Sequence, residues 1–198
     1  MGQDRLARTQ KKTERTGAWI AFIDESGFLM APLVRRTWSP RGHTPLFFQR
    51  TRTHRKVSVI TALCWSPRSD DVFLAFQLYP DANVDAVAAR DFLNQLQTEL
   101  PEPIVVVWDN LTAHRAKIVQ GHIRSSERLE GTFLPPYAPE LNPVEYVWSY
   151  LKKNPLANRS PDTLEDLHRL TATHARELKG RSDLLRSFLR HSPLFCSE

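Results

Sequence analysis

The run Ile104-Val105-Val106-Val107-Trp108, closed by Asp109, constrains this chain more than any other segment. Five apolar residues in succession leave no side for solvent, so the run predicts a strand covered on both faces. Such a strand belongs inside a sheet flanked by helices. It also stops on a carboxylate, and the chain repeats that device. Trp19-Ile20-Ala21-Phe22-Ile23 stops on Asp24, while Leu134-Pro135-Pro136-Tyr137-Ala138-Pro139-Glu140-Leu141-Asn142-Pro143-Val144 leads to Glu145 at the start of a helix.

The other segments supply the remaining layers. Residues 18–24 read as the first strand. Residues 56–65 and 72–79 alternate as two strands of a hairpin, with Ser66-Pro67-Arg68-Ser69-Asp70 as the turn. Asn83 is the expected cap of a helix carrying Val84, Val87, Ala88, Phe92, Leu96 and Leu100 up to Pro101. Thr112 is expected to cap a helix reaching Ile123, and Leu129–Leu134 gives a fifth strand. Helices are then expected over 142–153, from Ser160-Pro161 through Leu164, Leu167 and Leu170, and over 183–191. This order predicts an α/β architecture, a mixed five-stranded sheet flanked by helices.

At 198 residues the chain fits one domain with short appendages. Residues 1–16 read as a basic arm or linker, 17–155 as the main domain, and 156–198 as a helical extension. Within the main domain, 32–54 holds Pro32, Pro40, Gly42 and Pro45, which predicts an extended loop with some short strand pairing. No apolar run reaches membrane-spanning length, and no apolar stretch follows the first charges as a secretory signal requires. Cys64, inside an apolar run, and Cys196, in the tail, form no ligand spacing, so the expected compartment is a reducing cytoplasm.

The net charge of +5 is unevenly placed. Residues 26–69 hold eight Lys or Arg and no Asp or Glu, leaving 19 basic against 22 acidic residues elsewhere. Trp38, Phe47 and Phe48 interleave this block. Positive charge with flat side chains is the footprint of a polyanion surface, although a solvated loop can carry the same charges.

Each acid also has a purely structural reading. Asp24 precedes Glu25-Ser26-Gly27 and suits a turn, Asp109 suits a strand-to-helix cap, and Glu145 stands where a capping box would use it after Asn142 and Pro143. Together the acids point elsewhere. If the strands bearing Asp24 and Asp109 are parallel neighbours, both emerge at the carboxyl edge where open α/β sheets bind ligands. Converging carboxylates repel unless a cation joins them, and hard oxygen donors select Mg²⁺ or Mn²⁺. Two such ions clamp the attacking and leaving oxygens of an in-line phosphoryl displacement, with water or a 3′-hydroxyl as nucleophile. Nucleic acid is the expected substrate. His114, five positions past Asp109, is expected to support this site rather than ligate.

At Ile23-Asp24-Glu25-Ser26, at Val107-Trp108-Asp109-Asn110 with His114, and at Leu134–Pro139 leading into Leu141-Asn142-Pro143-Val144-Glu145 and Trp148, the chain resembles the mariner-like DDE transposases, in particular their bacterial insertion-sequence branch. The resemblance covers roughly residues 17–155. It implies a ribonuclease-H-like fold with Asp24, Asp109 and Glu145 as the catalytic, metal-binding triad, and Glu25, Asn110, His114 and Asn142 as supporting residues. It implies cleavage of DNA at transposon ends and strand transfer into target DNA. The basic block occupies the position of a clamp-like loop, so Arg35, Arg36, Trp38, Arg41, Arg50, Arg52, Arg55 and Lys56 are the expected DNA or clamp contacts. A homodimer on DNA, associated with the nucleoid, is implied as well. Relatives carry helix-turn-helix domains ahead of the first strand. The expectation here is either that a separately encoded subunit supplies them, or that this is a truncated remnant that binds DNA or dimerises without catalysis. A stand-alone nuclease of the same fold is the third reading.

Overall fold

A computed structural model describes residues 9, 11–31, 33–46 and 55–195. Residues 11–16 form a helical turn, α1, with Thr13 buried. The sheet contains β1 (Trp19–Leu29), β2 (Lys56–Ser66), β3 (Asp71–Pro80), β4 (Ile104–Trp108) and β5 (Leu129–Phe133), in the order β3-β2-β1-β4-β5. β1–β2 and β2–β3 pair antiparallel, β1–β4 and β4–β5 parallel. The sheet is therefore mixed and five-stranded, as its pattern predicts.

Alternation along the strands divides the core in two. Ile20, Phe22, Val57, Val59, Leu63, Val105 and Val107 enter one cluster, covered by α5 (Val144–Lys153), α6 (Leu164–Lys179) and α7 (Ser182–His191). Ala21, Ile23, Ile60, Ala62, Ile104, Val106 and Trp108 enter the other. That face is covered by α2 (Ala86–Glu99) and by α4 (Lys117–Ser125), which follows the short α3 (Thr112–Arg115). All five β4 residues are buried, so the apolar run is a doubly covered strand. Among the described residues no helix is long and apolar enough to cross a membrane.

Several boundaries differ from the sequence reading, each for a tertiary reason. β1 does not stop at residue 24 but continues to Leu29, because Glu25, Ser26 and Gly27 pair with Ile60, Val59 and Ser58 of β2. Asp24 is therefore mid-strand and not a turn residue. The helix expected from Thr112 to Ile123 is broken at Ala116, whose ψ of 142° is extended. The His114 carbonyl released by that break accepts from Gln120 Nε2 at 2.7 Å. Asp85, not Asn83, caps α2 through Ala88 N–H, while Asn83 Oδ1 accepts from Lys56 Nζ. Residues 33–46 contain no strand, and the rest of the expected pairing, 47–54, lies outside the described residues.

Thr163, not Ser160, caps α6. Its Oγ1 accepts from Asp166 N–H at 3.1 Å and donates to Asp166 Oδ2 at 2.8 Å, a reciprocal cap. Thr163→Ala is expected to cost about 1 kcal/mol in urea unfolding, with Ser160→Ala near neutral. Equal losses in the two variants would contradict this assignment.

Candidate active site

The parallel register pairs Phe22 with Val107, so two residues further on Asp24 lies level with Asp109. Side-chain alternation places both on the face covered by α5, the face that Ile20, Phe22, Val105 and Val107 also share. α5 packs there through Val144, Val147, Trp148 and Leu151, and its first turn carries Glu145. The three acids line one cleft of about 500 Å³, walled by Asn110, Leu111, Asn142 and the 134–139 loop. No Lys, Arg or His is among its lining residues.

Two hydrogen bonds of Asn142 hold the head of α5 against β1. Its Nδ2 donates to Ile23 O at 3.1 Å and its Oδ1 accepts from Val144 N–H at 3.2 Å. The Asn142 N–H goes to Pro139 O, so the expected capping box does not form and Glu145 is not occupied with it. Asn110 reaches the Leu134 carbonyl at 3.5 Å.

Trp148 serves the site in a way that the sequence reading did not assign to it. Its ring is core, but its Nε1–H donates to Asp24 Oδ2 at 2.8 Å. The signal was present: Trp148 stands three residues after Glu145, on a neighbouring face of the same helix. One turn further, Lys152 Nζ donates to Ser26 Oγ at 2.7 Å and sits over the Phe28 ring.

Glu25 and Trp108 belong to the opposite face, where α3 places His114. The buried imidazole stacks on Trp108 with centroids 4.2 Å apart. Its Nδ1 donates to Asp109 Oδ1 at 2.9 Å and its Nε2 to Glu25 Oε1 at 2.7 Å. Both partners are carboxylates, an arrangement that favours the protonated ring. Burial alone would lower its pKa, but the Glu25 hydrogen bond and the charges of Glu25 and Asp109 outweigh burial and leave it raised. Asp109 Oδ1 also accepts from Leu111 N–H at 3.1 Å, so Asp109 shapes the turn into α3 while facing the cleft.

The basic block is only partly at the disposal of a ligand. Arg35 is tied to α5, its guanidinium on Lys153 O and its backbone on Asn158. Arg55 pairs with Asp81 and Lys56 with Asn83. Arg36, Trp38 and Arg41 are exposed. Arg50 and Arg52, with Phe47 and Phe48, lie outside the described residues.

Burial first, and then the charges of Glu25 and Glu145, push the Asp24 carboxyl up from 3.8 to about 7, against the pull of the Trp148 hydrogen bond. The donor set suits a hard divalent cation: three carboxylates in one cleft, with no basic side chain lining it. Among the described residues no three ligand groups stand close enough to form a ready cluster.

A family model described as DDE superfamily endonuclease matches residues 19–168. The fold is similar to that of a Mos1 mariner paired-end complex with Mg, with TM-score 0.65 and 17% identity over 98% of this chain and 58% of that one. It is also similar to the catalytic domain of Mos1 mariner transposase, with TM-score 0.58 and 15% identity over 98% and 87%. At such identities the likeness shows the fold, which is ribonuclease-H-like. An uncharacterised protein of Sinorhizobium fredii (strain NBRC 101917 / NGR234) is 51% identical over 35 residues, 18% of this chain and 26% of its own. The chain spans 57% of a Mos1 transposase chain in complex with a transposon end.

The Asp24 shift carries a stability prediction. Between the unfolded value of 3.8 and about 7 the native state holds the extra proton, so stability falls as pH rises through that window. Asp24→Asn removes the buried charge and keeps an acceptor for Trp148. In chelator at pH 8 the variant is expected to be more stable than the parent by about 2–4 kcal/mol, the difference vanishing near pH 4. A parent as stable as the variant at pH 8 would contradict the burial argument.

Proposed function

The chain belongs to the DDE superfamily endonucleases, and from that premise we propose that it is a transposase catalytic domain that cleaves DNA at transposon ends and transfers the 3′-hydroxyl strand into target DNA. The observation that carries this reading is the single cleft that Asp24, Asp109 and Glu145 all line, with no Lys, Arg or His among its lining residues. These three residues would hold Mg²⁺ or Mn²⁺, as one ion or a pair. When bound, the metal supplies charge neutralisation and a deprotonated water or 3′-hydroxyl.

The chain's own residues prepare the cleft. Trp148 holds one oxygen of Asp24, which orients the carboxylate and leaves its other oxygen for an ion. His114, braced by Glu25 and stacked on Trp108, fixes the Asp109 carboxylate from behind. Asn142 couples the Glu145 helix to the Asp24 strand. Arg36, Trp38 and Arg41, together with Arg50 and Arg52, are proposed to meet the DNA backbone. Arg35, Arg55 and Lys56 instead serve mainly to fasten the loop at its ends. The resemblance adds a homodimer on DNA.

A second reading, a remnant that binds DNA or dimerises without catalysis, draws on the absence of a ready three-ligand cluster among the described residues. One assay separates the two: nicking of plasmid and of end-bearing duplex in Mn²⁺ or Mg²⁺. Catalysis predicts metal-dependent nicking that Asp109→Ala lowers by about a thousandfold or more, since the ion supplies several kcal/mol at the transition state. His114→Ala is expected to lose about ten- to a hundredfold. DNA binding without nicking would select the remnant, and nicking that survives Asp109→Ala would remove the assigned site.

A further inference from the structure

Tyr137 stands on the rim of the acidic cleft, in the loop between β5 and α5. A lone exposed aromatic residue is ordinary on a protein surface. Three features set this one apart. Its side chain is fully exposed, at 102% of the reference area, although it lines the same cleft as the three acids. Its φ of 59° is left-handed, a conformation that a bulky L-residue adopts only under constraint. No hydrogen bond or ring contact engages it among the described residues. The backbone strain therefore secures no packing for the ring.

The loop is built to hold that position. Leu134 is buried and its N–H donates to Trp108 O at 2.7 Å, so the loop leaves β5 pinned beside the end of β4. Asn142, bonded to Ile23 O, anchors the other side beside Asp24. Between the anchors, Pro135, Pro136 and Pro139 each fix a backbone angle. Strained, over-determined residues cluster at functional sites, and a ring presented rigidly loses little freedom on binding.

We propose that Tyr137 is a base-stacking residue, whose ring packs on the face of a nucleobase beside the phosphate held at the cleft. This rests on the nuclease reading above and deepens it. A neutral flat ring suits a neutral aromatic ligand, and a nucleotide whose phosphate sits at the acids carries its base close by. Stacking needs an open base face, so the base contacted is one that is unpaired or drawn out of the helix.

The test uses short single-stranded DNAs carrying 2-aminopurine at successive positions, with Mn²⁺. Tyr137→Phe and Tyr137→Trp keep a ring, whereas Tyr137→Asn tolerates the left-handed backbone and lacks one. Wild type and the two ring variants are expected to give the same fluorescence change. The Asn variant is expected to lose it and to bind on the order of tenfold more weakly, with an unchanged Mn²⁺-induced rise in melting temperature. If the Asn variant matches a DNA-binding wild type, the ring is idle and the proposal falls alone. If the Phe variant loses as much as Asn, the hydroxyl and not the ring makes the contact, and stacking is overturned. A wild type that neither binds nor nicks DNA removes the nuclease reading, and the stacking role with it.

Discussion

In the parallel ladder between β1 and β4, Phe22 lies level with Val107, and that single register decides what reaches the cleft. Side chains alternate, so the residues two steps further along both strands emerge together on one face. Those residues are Asp24 and Asp109. Shifting the pairing by one position would send one acid to the opposite face and expose a core residue in its place. The apolar alternation that builds the two half-cores therefore also aligns the acids.

The same face must be covered, and α5 covers it with Val144, Val147, Trp148 and Leu151. Burying that stripe brings Glu145 to the cleft whatever the electrostatic cost. The cost is visible in Asp24, whose carboxyl is pushed up to about 7 by burial and by its acidic neighbours. On the far side of the strands the balance is different. There the His114 imidazole stands between Glu25 and Asp109, bonded to both and stacked on Trp108, and the two carboxylates raise its pKa. A hydrogen-bonded wall behind and a cleft lined by three acids in front suit a hard divalent cation.

The sheet and most helices were legible in the chain because period-two and period-3.6 patterns report burial directly. Boundaries were less legible, since a partner strand or a bonded side chain sets them. β1 runs through Glu25-Ser26-Gly27 because β2 offers pairing there, which no local propensity announces. Asn83 and Ser160 are as good caps by type as Asp85 and Thr163. Only the geometry of the helix entry shows which oxygen meets an amide.

The acids stand out in the chain because an apolar run that stops on a carboxylate and a Pro-entered helix are local signals, and His114 stands out by its spacing after Asp109, while a role for Asn142 came only with the resemblance. What only the tertiary structure decided is which atoms meet. Trp148 looks like core from its spacing and is core, yet its indole N–H serves Asp24 across a sequence gap that no local pattern bridges. Arg35, Arg55 and Lys56 look like Arg36 and Arg41 in a basic run, but a backbone carbonyl, an acid and a side-chain amide elsewhere in the fold take them up. Residue type determines what a side chain can bond, and the packing of distant elements determines which of those bonds is made.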